Sequence, residues 1–446
     1  MGLTAEQRAV LEKARADEVK FVNLQFTDVV GIIKSVTLPI ERLQEAFDRG
    51  IWFDGSSIEG FTRIHESDMY LVPDADTYRV LPWGTQAGKV ARLLCDIFTP
   101  AGDPFEGDPR RILRRMVGEA TKRGYTYYTG VELEFYLFTP DNGRIRPAPH
   151  DVGGYFDFSP RDEAGLVRQD ITRALEDMGM EVEMIHHEVG PGQHEIDFKY
   201  ADALTSADNA LTFRYTVKAI AQRHGLYATF MPKPMYGRAG SGMHTHQSLF
   251  KDGQNQFYQA NDPYKLSPLA YSFMAGQLQH ARALAAIVAP TVNSYKRLVP
   301  GFEAPVYVCW AQINRSALIR IPRYSPGRES STRLELRCPD PSCNPYLAFA
   351  AMLAAGLEGI DHGLTAPAPT EEDVFHWDAE RLAQAGIATL PGSLHEALTE
   401  LAADEVVKGA LGNHAYEAFD RAKREEWDEY RTRVTEWEVE RYLEIL

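Results

Sequence analysis

Several predicted strands of this chain alternate apolar side chains with chemically reactive ones, and this pattern constrains the fold most strongly. In a strand, residues i and i+2 share a face. The segment 131–137 (VELEFYL) therefore has one apolar face, while Glu132 and Glu134 lie side by side on the other. The pattern predicts a half-buried strand that carries two adjacent carboxylates.

Three further segments repeat this arrangement. Their reactive faces carry His244, His246 and Ser248 in 243–249, Arg333, Glu335 and Arg337 in 332–337, and Glu195 with Asp197 in 194–198, which follows His186, His187 and Glu188. One interpretation is a set of half-exposed strands whose polar sides face water. However, such faces usually carry Thr, Lys and mixed charge, and these carry Glu, His and Arg.

The alternative interpretation is a single cavity lined by all four segments. In such a cavity the carboxylates would repel one another and could not all stay ionised without cations. Carboxylates with one imidazole suit Mg²⁺ or Mn²⁺ better than a thiolate-bound zinc. Arginines on the same surface suit phosphate oxygens. The carboxylates concerned are Glu132, Glu134, Glu188, Glu195 and Glu335.

Two loops add to this pattern. The glycine-rich segment 237–242 precedes the histidine strand and allows close approach of the backbone to a small ligand. It is neither a Walker A loop nor a dinucleotide-binding fingerprint. The segment 293–303, followed by Arg315 and Arg320, is rich in cations and predicts an anion site, with a surface ion-pair network as the alternative.

Composition bounds the architecture and the compartment. A length of 446 residues favours two domains, and the balance of 47 basic against 63 acidic side chains disfavours binding to nucleic acid or an anionic membrane. The first 20 residues contain no apolar signal core, and the longest uncharged apolar run, 346–357, is too short to span a bilayer. The four cysteines lack zinc-ligand spacing and predict buried thiols in a reducing cytosol. They are Cys95, Cys309, Cys338 and Cys343.

The remaining patterns predict an α+β fold. We expect strands over 19–26, 32–38 and 90–97, a turn-rich link at 99–104, and then helices that alternate with short strands. Thr4 predicts the N-cap of a first helix ending near Arg15. The Ala-rich run 346–357 predicts a buried helix that opens after Pro345. The charged pattern 415–442 predicts a helix on a surface or at an interface.

These segments together resemble type I glutamine synthetases, in particular the compact, feedback-regulated (alpha) class. The likeness runs from about residue 16 to the C-terminus. It rests on FDGSSIEGF at 53–61 with ESDM at 66–69, KPMYGRAGSGMHTHQS at 233–248, NSYKRLVPGFEAP at 293–305, and NRSALIRIP at 314–322.

The resemblance implies a β-grasp domain over residues 1–103 and a catalytic domain with a curved antiparallel sheet over 104–446. It also implies a homo-dodecamer of two stacked hexameric rings, with active sites between subunits and a regulatory protein as a further partner. The implied reaction joins ammonia to L-glutamate, using ATP and two or more Mg²⁺ or Mn²⁺ ions per site, through γ-glutamyl phosphate.

The resemblance also implies roles for individual residues. Two metals are expected on Glu134, Glu188 and Glu195 and on Glu132, His244 and Glu335. Glutamate is expected to bind Gly240, Arg297 and Arg337, and ATP or its phosphates His246, Ser248, Arg315, Arg320 and Arg333. Asp54 is expected to bind ammonium in a neighbouring subunit, Glu303 to lie on a closing flap, Arg315 to act in catalysis, and Arg63 with Glu426 to mediate feedback.

The chain departs from the family pattern at two places. Ala239 stands where many relatives carry Asn, so that one polar contact in the glutamate loop is missing. The loop 323–330 is longer than the short form of the family. In addition, Phe375 stands in the segment where adenylylated relatives carry a modifiable Tyr, which predicts that this chain is not adenylylated there.

Two alternatives remain open. A ligase on the same scaffold could use an organic amine, as a γ-glutamylpolyamine synthetase does, although Asp54 within the full N-terminal motif favours ammonium. A catalytically inactive sensor should have lost metal ligands or the flap acid, and this chain has kept all of them.

Overall fold

The computed structural model describes residues 2–56, 58, 60, 68–158, 164–300 and 304–446. Strands in these ranges form two sheets, one within the first hundred residues and a larger one after them. The strands are β1 Val19–Thr27, β2 Ile33–Pro39, β3 Ile51–Asp54, β4 Asp68–Pro73, β5 Arg79–Val80, β6 Lys89–Phe98, β7 Thr126–Phe138, β8 Val182–His187, β9 Gln193–Phe198, β10 Ala201–Asp202, β11 Tyr227–Thr229, β12 Met243–Lys251, β13 Gln254–Asn255, β14 Tyr307–Ala311, β15 Ala317–Arg320 and β16 Leu334–Leu336.

Helices flank both sheets. The helices are α1 Ala5–Ala16, α2 Leu43–Arg49, α3 Pro109–Lys122, α4 Ala164–Asp177, α5 Ala203–Arg223, α6 Pro268–Gln279, α7 Ala281–Val288, α8 Ser294–Arg297, α9 Pro345–Asp361, α10 Ala379–Gln384, α11 Leu394–Ala403, α12 Glu405–Leu411, α13 Asn413–Arg431 and α14 Glu436–Tyr442. No helix of the described ranges is long and apolar enough to cross a bilayer.

The first sheet has the strand order β2-β1-β6-β4-β3, with β5 added beside β6. Its central pair, β1 and β6, is parallel, whereas β2 and β4 pair antiparallel to their neighbours. Helices α1 and α2 pack their apolar residues, among them Val10, Leu43 and Phe47, on this sheet. The unit therefore has a hydrophobic core of its own.

The larger sheet has the order β14-β15-β16-β12-β7-β9-β8, with β10, β11 and β13 as short additions. Its pairings are antiparallel except for β14 with β15. Helix α9 lies in the centre of the adjoining core, where most of its residues are buried. Together the two sheets and their helices confirm the predicted α+β architecture.

Local sequence signals account for several element boundaries. Thr4 is the N-cap of α1, as predicted, and it forms a reciprocal capping box with Gln7. Helix α9 begins at Pro345 behind the N-cap Asn344, which confirms the predicted buried helix. The charged C-terminal pattern forms α13 and α14 with a break between them. The four cysteines are buried and unpaired.

Polar side chains join the two sheets. Arg110 on α3 donates to Asp74 and Asp96 of the first unit and to Asp208 on α5, at 2.9–3.0 Å. Its side chain is 5% exposed. Arg214 and Asn344 donate to backbone carbonyls of the β1–β2 connection. The small sheet is thus held against the large one by directed hydrogen bonds.

Candidate metal centre

The register of the large sheet brings the reactive faces of the predicted strands into one row. Directly opposed residues of paired strands share a face. His244 of β12 lies opposite Glu132 of β7, and Glu134 lies opposite Glu195 of β9. At one end of the row Arg320 of β15 faces Glu335 of β16, and at the other end His186 of β8 faces Glu195.

A first cluster consists of Glu132, His244 and Glu335, each of which offers one ligand atom within 4.8 Å of the others. His244 Nδ1 lies 3.3 Å from Glu132 Oε2 and 3.8 Å from Glu335 Oε1. These are the three residues expected to hold one metal, and they come from three neighbouring strands. The strand register therefore creates a compact set of oxygen and nitrogen donors.

His246 and three arginines surround the first cluster. Arg333 Nε donates to His246 Nδ1 at 3.1 Å, so the ring proton lies on Nε2, which donates to Glu132 Oε1 at 2.7 Å. Arg320 forms an ion pair with Glu335, and Arg337 Nε lies 3.3 Å from Glu335 Oε1. Cations thus concentrate around the Glu335 end of the row.

A second cluster consists of His186, Glu188 and Glu195, again with ligand atoms within 4.8 Å of one another. His186 Nε2 lies 3.1 Å from Glu195 Oε1, and His186 Nδ1 lies 3.9 Å from Glu188 Oε1. The resemblance implied Glu134, not His186, beside Glu188 and Glu195. A histidine two residues before Glu188 shares its strand face, and this spacing was the available signal for His186.

Glu134 lies on the same face but is held by protein donors. Its Oε2 accepts hydrogen bonds from Gln193 Nε2 at 2.9 Å and from Gly242 N at 3.0 Å. Gln193 is fully buried and also donates to the carbonyl of Gly240 at 3.0 Å. The glycine loop is therefore tied to the carboxylate row, a link that the sequence did not reveal.

The electrostatics of the row differ between its ends. Burial, followed by repulsion from Asp197 and other acids, raises the pKa of Glu195 to about 10, and burial with the charge of Glu132 raises the pKa of Asp197 to about 7. Burial and repulsion from Glu195 likewise raise the pKa of Glu134. At the other end, burial opposes ionisation of Glu132 and Glu335, but the nearby histidines outweigh it and lower both pKa values.

These observations fit divalent cations. Carboxylates near β9 are destabilised as anions by one another, and a cation would relieve that repulsion. Asp197 adds a buried oxygen, Oδ1, that has no hydrogen-bond partner in the described parts of the chain. The donor set contains carboxylates and imidazoles and no thiolate, which suits Mg²⁺ or Mn²⁺.

A cavity of about 440 Å³ opens beside the first cluster. Its size suits a nucleotide. Its lining includes the expected residues His246, Ser248 and Arg333 together with Glu132, and the aromatic residues Tyr128, Phe198 and Tyr200. Arg328 and Ser330 also line it, which places the long 323–330 loop at this cavity. Arg320 is not part of the lining and instead pairs with Glu335.

The residues expected to bind glutamate lie beside the row. Arg297 is buried and donates to the carbonyls of Cys338 at 2.8 Å and Arg337 at 3.0 Å. Gly240 packs so closely that an added Cβ would lie 2.8 Å from Arg297 Cγ. In the same loop, the carbonyl of Ala239 accepts a hydrogen bond from Tyr136 at 2.8 Å. Backbone contacts therefore shape this loop despite the missing Asn side chain.

The remaining expected residues are exposed, bond to other parts of the chain or lie outside the described ranges. Asp54 ends β3, an edge strand of the first sheet, where it is exposed and accepts from Ser56 N at 2.8 Å. Arg315 is exposed, and its carbonyl accepts from Arg337. Glu426 on α13 accepts from Val292 N at 3.0 Å. Arg63 and Glu303 lie outside the described residues.

Comparison with known proteins places these features in one family. A family model for the glutamine synthetase β-grasp domain matches residues 18–100, and a model for the glutamine synthetase catalytic domain matches residues 106–442. A glutamine synthetase of Methanosarcina mazei is 53% identical over 438 residues, covering 98% of this chain and 97% of its own. One from Thermotoga maritima is 53% identical over 429 residues, covering 96% and 97%.

Solved structures agree with these matches. A complex of GmaS with ADP has a TM-score of 0.88 and 35% identity, covering 98% of this chain and 99% of its own. A Plasmodium falciparum glutamine synthetase determined by cryo-electron microscopy has a TM-score of 0.86 and 27% identity, with 99% of both chains covered.

Proposed function

The chain belongs to the glutamine synthetase family and is an ATP-dependent ligase, and we propose that it joins ammonia to L-glutamate through γ-glutamyl phosphate. The observation that carries this proposal is the juxtaposition of two donor clusters with a nucleotide-sized cavity. Glu132 belongs to the first cluster and also lines that cavity. A phosphate chain in the cavity would therefore end beside the carboxylate row.

The proposed reaction explains why this site needs both cations and arginines. A carboxylate is a poor acyl donor because its leaving group would be oxide, whereas an acyl phosphate releases phosphate. Transfer of the γ-phosphoryl group brings an anionic carboxylate against an anionic phosphate. Arg320, Arg333 and Arg337 lie where their guanidinium groups can offset that charge.

The first and second clusters would hold two Mg²⁺ or Mn²⁺ ions, with Glu134 in support of the second. Such ions supply Lewis-acid stabilisation of negative charge on phosphoryl and carboxylate oxygens. The protein itself fixes the ligand directions, since every cluster member except Glu188 stands on a paired strand or at its end. We assign substrate glutamate to Arg297, Arg337 and Gly240, and phosphate contacts to Arg315 as well.

Ammonium has no lone pair, so an anionic side chain must bind the cation and accept its proton before the nitrogen can attack. We assign this role to Asp54, acting in the site of a neighbouring subunit. Its exposed position on an edge strand supports the assignment. Glu303 would act on a flap that excludes water from the acyl phosphate. We further propose a dodecamer of two hexameric rings, with active sites shared between subunits.

The finer classification is also a proposal. We assign the chain to the type I alpha class, with domains over 1–103 and 104–446, a boundary that the two family-model ranges support. Feedback would act through Arg63 and Glu426, and a regulatory protein could bind the same enzyme. Glu426 supports this role through its bond to Val292, just before the 293–305 segment. The unpaired buried cysteines support a reducing cytosol.

ATP-dependent phosphate release, measured with Mg²⁺ and glutamate, tests the function. Ammonium, methylamine and putrescine are compared, and glutamine is identified in the product. We expect release with ammonium and formation of glutamine. Release with an organic amine alone would replace the substrate and the role of Asp54 while keeping the acyl-phosphate chemistry. No release with any amine, also with Mn²⁺, would indicate an inactive sensor.

Two modifications sharpen this assignment. Arg63→Ala should relieve inhibition by glutamine, and unchanged inhibition would remove the regulatory role. Phe375 cannot accept a nucleotide, because its side chain lacks a hydroxyl group. Treatment with an adenylyltransferase should therefore leave the intact mass of this segment unchanged, and an added nucleotide there would contradict the assignment.

A further inference from the structure

A further polar cluster, here called the back-face cluster, lies behind the carboxylate row on the opposite face of the β8–β9 hairpin. His187 and His194 oppose each other in register and alternate with Glu188 and Glu195, so they point away from the metal centre. His187 is 2% exposed and His194 is fully buried. Asp151, His150 and Arg168 complete this back-face cluster. None of these five residues has a role in the proposed reaction.

Asp151 ties two parts of the hairpin together. Its Oδ1 accepts from Gly192 N in the turn at 2.6 Å, and its Oδ2 accepts from His187 Nε2 at 3.0 Å. His187 Nδ1 in turn donates to the carbonyl of Glu188 at 2.6 Å. Each ring nitrogen of His187 thus lies within hydrogen-bond distance of a fixed oxygen, which sets the plane of the ring. The backbone of Glu188 is thereby fixed from behind.

Arg168 fixes the second strand of the hairpin. A guanidinium group only donates, so Arg168 Nη1, 2.8 Å from His194 Nδ1, requires that nitrogen to accept. The proton of His194 therefore lies on Nε2, which donates to His150 Nε2 at 2.9 Å. Neither nitrogen of His194 then has a lone pair left for a cation. Although His150, Asp151 and His194 have metal-like spacing, their hydrogen bonds identify a protein network.

We propose that the Asp151–His187 and Arg168–His194 pairs are positioning groups that set the divalent-metal affinity of the second cluster. The inference rests on the proposed function and extends it to residues that contact neither substrate nor metal. Each pair holds the chain neighbour of a carboxylate, Glu188 in one case and Glu195 in the other. Hydrogen-bonded groups behind metal ligands commonly change metal affinity by about 10-fold or more.

Tight packing makes this support rigid. An added Cβ on Gly153 would lie 2.7 Å from His187 Nε2, so the 150–154 segment presses on the ring. Gln193 follows Gly192 as the first residue of β9 and donates the hydrogen bond to Glu134. A shift of the turn would therefore displace Glu188 and Glu195 and disturb the hydrogen bond of Glu134.

Binding of Mn²⁺ to the intact oligomer tests the inference, with free Mn²⁺ followed by electron paramagnetic resonance. His194→Leu and Asp151→Ala should each weaken the affinity by about 10-fold, while kcat at saturating Mn²⁺ stays within about 2-fold of wild type. His194→Gln should restore the affinity, because an amide can accept from Arg168 and donate to His150. Unchanged affinity in His194→Leu would overturn the proposal.

His280→Asn is the matched control. His280 is also a buried histidine, and it bonds to Asp404 at 2.6 Å in a different part of the fold. This variant should lose stability without any change in Mn²⁺ affinity. If it lost as much affinity as His194→Leu, the loss in His194→Leu would be explained by general destabilisation, and the proposal would be overturned.

Elemental analysis separates positioning from metal binding at the back-face cluster. Zinc that stays bound after chelation and disappears in His194→Leu would make the cluster a metal site and overturn the proposal. Failure of the function is distinguishable: glutamine synthesis would be absent from wild type, whereas the variants would still bind Mn²⁺ less tightly.

Discussion

Two groups of partly or fully buried carboxylates in this protein have their negative charge balanced in different ways. Around Arg110, the side chains of Asp74, Asp96 and Asp208 share a guanidinium group that is part of the chain. Around β9, Glu188 and Glu195 pair with His186, and the charges that favour ionisation of Asp197 are those of His186 and His246, so histidines stand where the first group has an arginine. The negative charge of the first group is balanced within the protein, whereas that of the second group is left for a bound cation to balance.

The difference shows what each region is built for. Burying carboxylates is costly unless a cation is present, and an arginine supplies one permanently. The Arg110 cluster can therefore join the two sheets without a bound ligand. Near β9, the pKa is raised to about 10 for Glu195 and to about 7 for Asp197. This end of the row therefore favours the binding of cations at the expense of the stability of the empty site.

Removing the internal cation should have the largest effect on stability. Arg110→Met leaves the buried carboxylate of Asp208 without its ion pair, although Arg114 still pairs with Asp74 and Asp96, and should lower the free energy of unfolding by about 3–5 kcal/mol. Urea unfolding of the oligomer at fixed protein concentration measures it. Arg111→Ala, at an exposed position on the same helix, should stay within about 0.5 kcal/mol of wild type. Equal losses in both variants would break the comparison.

Removing a carboxylate from the row should impair the reaction without a loss of stability. Glu195→Gln should lower kcat/KM by about 100-fold, because a metal ligand is lost. The metal-free protein should keep its urea midpoint, because Glu195, whose pKa is raised to about 10, is already uncharged near neutral pH and Gln has a similar shape. Glu176→Gln, at an exposed position of α4, serves as the control for both measurements. A large loss of stability in metal-free Glu195→Gln would contradict this account.

His280 offers an intermediate case, because its charge depends on pH. Burial alone would lower the pKa of His280, but Asp404 and then Glu358 outweigh burial and raise it above 6.5. Because the folded-state pKa is raised, the stabilisation is full below pH 6.5 and is lost as the pH rises through the folded-state value. His362 and Gln279 also face this group, the first through Glu358.

His280→Gln should therefore cost about 1.5 kcal/mol at pH 5.5 and less at pH 9. The difference between the urea midpoints of variant and wild type, measured at both pH values, isolates this group. Equal differences at the two pH values would show that the histidine acts by packing and not by charge.

Much of the site follows from local sequence. The period-two pattern at 131–137 and 243–249 correctly placed Glu132, Glu134, His244 and His246 on shared faces. The N-cap Thr4 and the helix start at Pro345 were likewise predictable, because both depend on residues close in sequence. By contrast, His186 joined the second cluster, and Glu134 was bound by Gln193, only through contacts between β7, β8 and β9.

The sequence by itself determined which side chains share a face of each strand, because alternation is a property of the backbone of one segment. It also determined the excess of carboxylates that demands cations. Only the tertiary structure decided that β12 lies between β16 and β7, and therefore that Glu335 and Glu132 flank His244. Strand order and register depend on the burial of residues far apart in sequence, and no single segment contains that information.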